Sequence, residues 1–108
     1  MMENEPVCIT DILGNKRWYL GYKLHRLDGP AIEFADGDKS WYLNGDIHRL
    51  DGPAFMGYNG SKNWYINSHH VTFQINKWAE ENEIDLDNLT EVDKALIKLV
   101  WSDYVPET

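Results

Sequence analysis

Apolar and polar positions along the first two thirds of this chain recur with one fixed period. Trp18, Trp41 and Trp64 keep that spacing, as do Gly14, Gly37 and Gly60, and Lys16, Lys39 and Lys62. Within each unit the apolar residues come in short aromatic and β-branched runs ("AIEF", "SWYL", "NWYI"). Asp36-Gly37, Asn44-Gly45 and Asn59-Gly60 separate them. Such runs predict short antiparallel strands joined by tight hairpins, because type I′ turns need positive φ at both central residues and Asx-Gly pairs supply it. In these strands Trp41 and Leu43 share one face while Tyr42 turns to the other. The tryptophans should therefore form a ladder along one face. Tyr19, Tyr42 and Tyr65 should line the other as an exposed aromatic surface.

After residue 68 the pattern changes to a helical one. Val71, Ile75, Trp78 and Ala79 fall at i, i+4, i+7 and i+8, one face of a helix. "DLDNL" connects it to a second helix, whose start is marked by Thr90 with Asp93 as a capping box. Val92, Leu96, Leu99 and Val100 give that helix its apolar stripe, ending near Asp103. The pattern predicts an α+β protein. Residues 1–68 form an antiparallel β-meander of about two and a half 23-residue repeats, and residues 69–108 form two C-terminal helices. These pack on the sheet as one compact domain, covering its apolar face and closing its open edge.

The string His-Arg-Leu-Asp-Gly-Pro-Ala occurs twice, at 25–31 and 48–54. A third copy starts well ("NWYIN") and decays, with Val71 in the histidine position and no Asp-Gly-Pro after it, as terminal repeats do. Extended backwards, the frame aligns Ile9 with Ile32 and Phe55, and Cys8 with Ala31 and Ala54. Cys8 then takes the place of a small buried residue and reads as a structural thiol.

The hairpin period with W-Y-x-x-G and a later G-x-A resembles MORN repeats and their bacterial W-Y-x-N-G variants. The string "HRLDGPA", the linking "DGDKSWYLNG" and the tail "INKWAEENEIDLDNLTEVDKALIKLVWSDY" are similar to small accessory proteins of tailed bacteriophages, over about residues 14 to 105. Ordinary MORN units have no His-Arg-x-Asp. The resemblance implies a binding scaffold, a non-virion protein in the cytoplasm of an infected bacterium, and a host partner such as a defence factor.

His, Arg and Asp within four residues have the makings of a general base, an anion clamp and an orienting carboxylate. The paired clusters at His25/Arg26/Asp28 and His48/Arg49/Asp51 could thus grip a nucleotide or other small anion. The architectural reading is the stronger one, since each part is needed once per repeat. Asp before Gly-Pro would close an Asx turn, Arg would bind an Asp of its own or the adjacent repeat, and His would donate to a carbonyl between units. No catalytic residue, metal site or cofactor is expected. His69-His70 are adjacent and would point apart in a strand, and neither a phosphate loop nor a nucleophile elbow is present.

Charge adds a second theme. Hydrophobic residues at 43% suffice for a packed core, and the formal net charge is −8. Residues 1–77 carry nine acids and eight bases, whereas residues 78–108 carry nine acids against Lys94 and Lys98. Such a surplus disfavours nucleic-acid binding and favours a basic protein surface, even by DNA mimicry. The expected partner surface is Glu80, Glu81, Glu83, Asp85 and Asp87. Self-association through an open sheet edge is the structural alternative. The N-terminal "MMENEPVCIT" has no signal-peptide pattern, no apolar run is long enough to span a membrane, and the single cysteine fits a reducing compartment.

Overall fold

The computed structural model describes residues 5–106; the leading four residues and Glu107 and Thr108 lie outside them. Strands β1 (Val7–Thr10), β2 (Lys16–Leu20), β3 (Lys23–Leu24), β4 (Ile32–Glu33), β5 (Lys39–Ser40), β8 (Phe55–Met56) and β9 (Lys62–Asn63) form one antiparallel sheet. Its order is β1-β2-β4-β5-β8-β9, with β3 also paired to β2. Two small hairpins stand apart: β6 (Tyr42–Leu43) with β7 (Asp46–Ile47), and β10 (Tyr65–Ile66) with β11 (His69–His70). Helices α1 (Thr72–Glu81) and α2 (Glu91–Trp101) complete an α+β protein. No helix among the described residues is long and apolar enough to cross a membrane.

Backbone bonds recur from one unit to the next. Trp18 and Trp41 donate their N–H groups to Ala31 and Ala54, each at 2.8 Å, and accept at their carbonyls from His25 and His48. Trp64 accepts in the same way from Val71, but its N–H turns to the Thr72 hydroxyl at 2.8 Å. The repeat thus ends where helix α1 begins, with a side-chain oxygen replacing the alanine carbonyl.

Two turn types alternate. At Asn44-Gly45 both residues have positive φ (51° and 87°), as a type I′ turn requires. Asp36-Gly37 and Asn59-Gly60 differ from that expectation, because only the glycines are left-handed. Those loops, together with residues 11–15, are three-residue hairpins in which an i to i+3 turn is followed by a left-handed glycine.

The core gathers at the last repeat. Trp64, Ile66, Val71, Ile75, Ile97 and Trp101 are buried together, with Leu50, Trp78, Leu86, Leu89 and Tyr104 packed around them. The helices therefore pack against the last repeat. Thr90 caps α2 by the expected capping box with Asp93. The expected stripe on α2 does not hold: Ile97 and Trp101 are buried, whereas Val92 is 76% and Leu99 81% exposed and Val100 is exposed as well. Trp101 decides the rotation, because its ring packs edge-on to Trp78 at 5.9 Å and against Tyr104 at 5.4 Å. Cys8 is exposed rather than buried, because β1 is an edge strand that pairs only with β2 among the described residues.

Candidate functional site

The repeated string is mostly consumed by architecture. Nδ1 of His25 accepts the N–H of Asn44 at 3.0 Å, and Nδ1 of His48 accepts that of Asn67 at 2.9 Å. Each histidine therefore clips its repeat to the next as an acceptor, not as a donor to a carbonyl. With Nδ1 accepting, the ring proton resides on Nε2. Further joints run from Gly45 N–H to the Leu24 carbonyl and from Ser68 N–H to the Ile47 carbonyl. Side chains add two more, Ala35 N–H to Asn15 and Tyr58 N–H to Asp38.

The arginines lie flat on the tryptophans. The guanidinium carbon of Arg26 is 3.8 Å from the centre of the Trp18 ring, and that of Arg49 is 3.9 Å from Trp41. A guanidinium, not a neighbouring indole, therefore covers each of these half-buried rings. Arg26 Nε donates to Asp28 and Nη1 to the Pro30 carbonyl and to Glu33; Arg49 Nε donates to Asp51 and Nη1 to the Pro53 carbonyl. Asp28 and Asp51 thus hold the arginines instead of closing Asx turns. That turn geometry belongs to Asp11, Asp36, Asn59 and Asp85.

The stack explains the glycine in Asp-Gly-Pro. A Cβ on Gly52 would lie 2.6 Å from the Arg49 guanidinium carbon, and one on Gly29 would lie 2.9 Å from that of Arg26. Gly52→Ala should therefore lift Arg49 off Trp41 and weaken its charged hydrogen bonds, destabilising the fold by about 1–3 kcal/mol. Urea unfolding measures it, and the same substitution in an Arg49→Ala background should cost far less.

Burial holds the His48 imidazole below its ordinary value of 6.5, while Asp46 pulls the other way. The unfolded chain thus takes up a proton more readily than the folded one. This contribution to stability is complete above about pH 6.5 and is lost as the pH falls through 6.5 toward the lower folded value. Parent and His48→Gln should accordingly differ most in urea midpoint at pH 7.5 and converge by pH 5.5.

A cleft of about 780 Å³ opens between the two repeated loops and α2. Arg26, Arg49 and His48 line it from the repeats, and Lys94 and Lys98 from α2, against Asp28, Asp51 and Glu91. Lys94 and Lys98 are one helical turn apart, on a flank of the helix next to Ile97, a placement that their charge in the sequence does not reveal. Chemically the cleft can take a small anion. His25 is buried behind it and holds Asn44, so the four-residue anion cluster is only partly assembled.

The acidic end has two parts. Asp85 accepts from the N–H of Asp87 and the amide of Asn88, and the Asn88 bond is the main reason its carboxyl sits below the usual range. Asp87 bonds Lys62 on β9 at 2.8 Å. Asp85 thus holds the shape of the connector, and Asp87 fastens it to the sheet. Glu80, Glu81 and Glu83 are exposed and make no ion pair among the described residues. They surround the end of α1, where Glu83 N–H returns to the Glu80 carbonyl and Ile84 N–H to the Ala79 carbonyl at 2.8 Å. That is a Schellman turn, and its left-handed position, normally glycine, is occupied by Glu83 at φ 55°.

The aromatic row is half-buried: Tyr19, Tyr42 and Tyr65 are each partly covered, and Tyr65 stacks on His70 at 4.7 Å. The freely exposed aromatic rings are those of Tyr22, Tyr58 and Phe73. Comparison of the chain with protein families, with curated proteins and with solved structures finds no match.

Proposed function

We propose that this is a non-catalytic protein-binding module: a MORN-like repeat sheet acts as scaffold and its acidic end docks on a basic surface of another protein. The observation that carries the reading is Glu83. A left-handed non-glycine residue is strained by about 1–2 kcal/mol, and strain at an exposed turn points to function when glycine would relieve it. Here the strained residue also completes a cluster of three unpaired glutamates. The two repeated motifs, the rival candidates for chemistry, already spend Nδ1 of each histidine and the Nε and Nη1 groups of each arginine on the fold. The likeness of "HRLDGPA" to phage accessory proteins favours a host protein of an infected bacterium as the partner, a defence factor being the foremost candidate.

The test is binding of the parent and of Glu80→Lys/Glu81→Lys/Glu83→Lys to basic host proteins across a salt series. Loss of binding in the variant at low salt supports the acidic end. A nucleotide that raises the melting temperature of the parent, with binding unchanged in the variant, assigns function to the Arg26/Arg49/Lys98 cleft instead.

A further inference from the structure

We infer that the cleft between the two repeated loops and α2 is a binding site for a nucleoside monophosphate, held by donors that the fold leaves unspent. A guanidinium has five N–H donors. Arg26 commits Nε to Asp28 and Nη1 to the Pro30 carbonyl and Glu33. Arg49 commits Nε to Asp51 and Nη1 to the Pro53 carbonyl and the Met56 sulfur. In both arginines the Nη2 group is left without a partner among the described residues, and both side chains line the cleft. His48 lines it too and adds its Nε2–H, because Nδ1 is engaged by the Asn67 N–H.

The two ends of the cleft differ in charge. Arg26 meets two carboxylates, Asp28 at 3.0 Å and Glu33 at 2.9 Å. Met56 stands one period after Glu33, so Arg49 meets Asp51 alone. Leu50, next to Arg49, packs on the cluster that holds Ile97, which brings the Lys94/Lys98 flank of α2 to the Arg49 end. Lys98 makes no ion pair among the described residues, and Lys94 reaches Glu91 only at 3.5 Å. Arg49, Lys94 and Lys98 against Asp51 and Glu91 leave this end positive, within a chain of formal charge −8.

These features select the ligand. The Arg49 end offers the Nη2 fork and two ammonium groups, more donors than one carboxylate can accept from, and suits the three terminal oxygens of a phosphate monoester. Successive units lie two strands apart in the sheet, about 9–10 Å, so one phosphate cannot reach the Arg26 fork as well. That fork, its charge already balanced, is left for neutral acceptors on the body that the phosphate carries. Trp41, Leu43 and Leu50 give the cleft an apolar wall, which favours a flat base over a sugar alone. The volume, about 780 Å³, is that of a small-molecule site. A polynucleotide is disfavoured by the acidic surroundings.

Isothermal titration calorimetry of the full chain with AMP, ribose 5-phosphate and inorganic phosphate tests the inference. AMP should bind at one site, and the two ligands that lack the base at least about tenfold more weakly. Lys94→Gln/Lys98→Gln should weaken AMP binding at least about tenfold. Its urea midpoint should match that of the parent, since neither lysine belongs to the core. In the parent, AMP should shift backbone amide resonances of residues 41–51 and 94–98. Failure of AMP to bind at millimolar concentration, or undiminished binding in the lysine variant, would overturn the proposal. So would ribose 5-phosphate binding as tightly as AMP, or a single-stranded oligonucleotide binding more tightly. None of these measurements involves Glu80, Glu81 or Glu83, so this site and the acidic end fail separately.

Discussion

Trp64→Ala should destabilise the protein by about 3–5 kcal/mol, the range for emptying an aromatic site in a packed core. Trp64 is 3% exposed and packs within the cluster of Ile66, Val71, Ile75, Ile97 and Trp101. Repacking cannot fill that space, because α1, α2 and the last hairpin all lean on it. Total stability of a domain this size is about 5–15 kcal/mol, so the variant should be marginal at 37 °C. Repeat position alone would single out Trp41, the middle tryptophan. Trp41 is half-buried under the Arg49 guanidinium, and its loss should cost clearly less. Urea midpoints for Trp18→Ala, Trp41→Ala and Trp64→Ala give the order directly. A larger loss at Trp41 than at Trp64 would mean that the core is not centred on the last repeat.

The second large effect concerns the acidic end. Reversing Glu80, Glu81 and Glu83 to lysine changes the local charge by six units and leaves Ile75 and Ala79, the buried face of α1, untouched. Exposed charges contribute about 0–1 kcal/mol each, so the fold should survive. Association with a basic partner should slow by about tenfold or more at low salt and converge with the parent at high salt, where screening shortens the reach of the field. Glu83→Gly sharpens the test. Relief of the left-handed strain should raise stability by about 1 kcal/mol while association weakens. A variant that is both more stable and equally fast in binding would remove Glu83 from the mechanism.

The repeat frame was legible because each unit carries both its turn residues and its aromatic residues at the same positions, and β-structure follows from that. What stayed hidden depends on neighbours in space. Cys8 shares its alignment column with Ala31 and Ala54, yet only those two have a strand on either side. Val92, Leu96 and Leu99 make as good a helical stripe as Ile97 and Trp101. Only the presence of Trp78 and Tyr104 beside Trp101 fixes which stripe turns inward. Asp28 and Asp51 look like turn formers because Asp-Gly-Pro is turn chemistry. The arginine two residues earlier, lying over the glycine, captures their carboxylates first. Lys94 and Lys98 were visible as charges, but the cleft they share with Arg26 and Arg49 exists only once α2 is docked. Thr90 and Asp93, by contrast, interact within one turn, and local chemistry sufficed.

The Thr72 hydroxyl has a bearing on how such a chain can change in length. Joints between units are made by backbone groups and by residues that every unit supplies, so genetic duplication of one unit upstream of Trp64 would lengthen the sheet and leave both ends as they are. Downstream the situation differs. The Trp64 amide has its acceptor in the first turn of α1 rather than in a following strand. A unit inserted after Thr72 would meet a tryptophan already satisfied and a helix already seated. One hydroxyl thus acts as a stop signal for growth of the fold, confining insertions to whole units on one side of a fixed terminus.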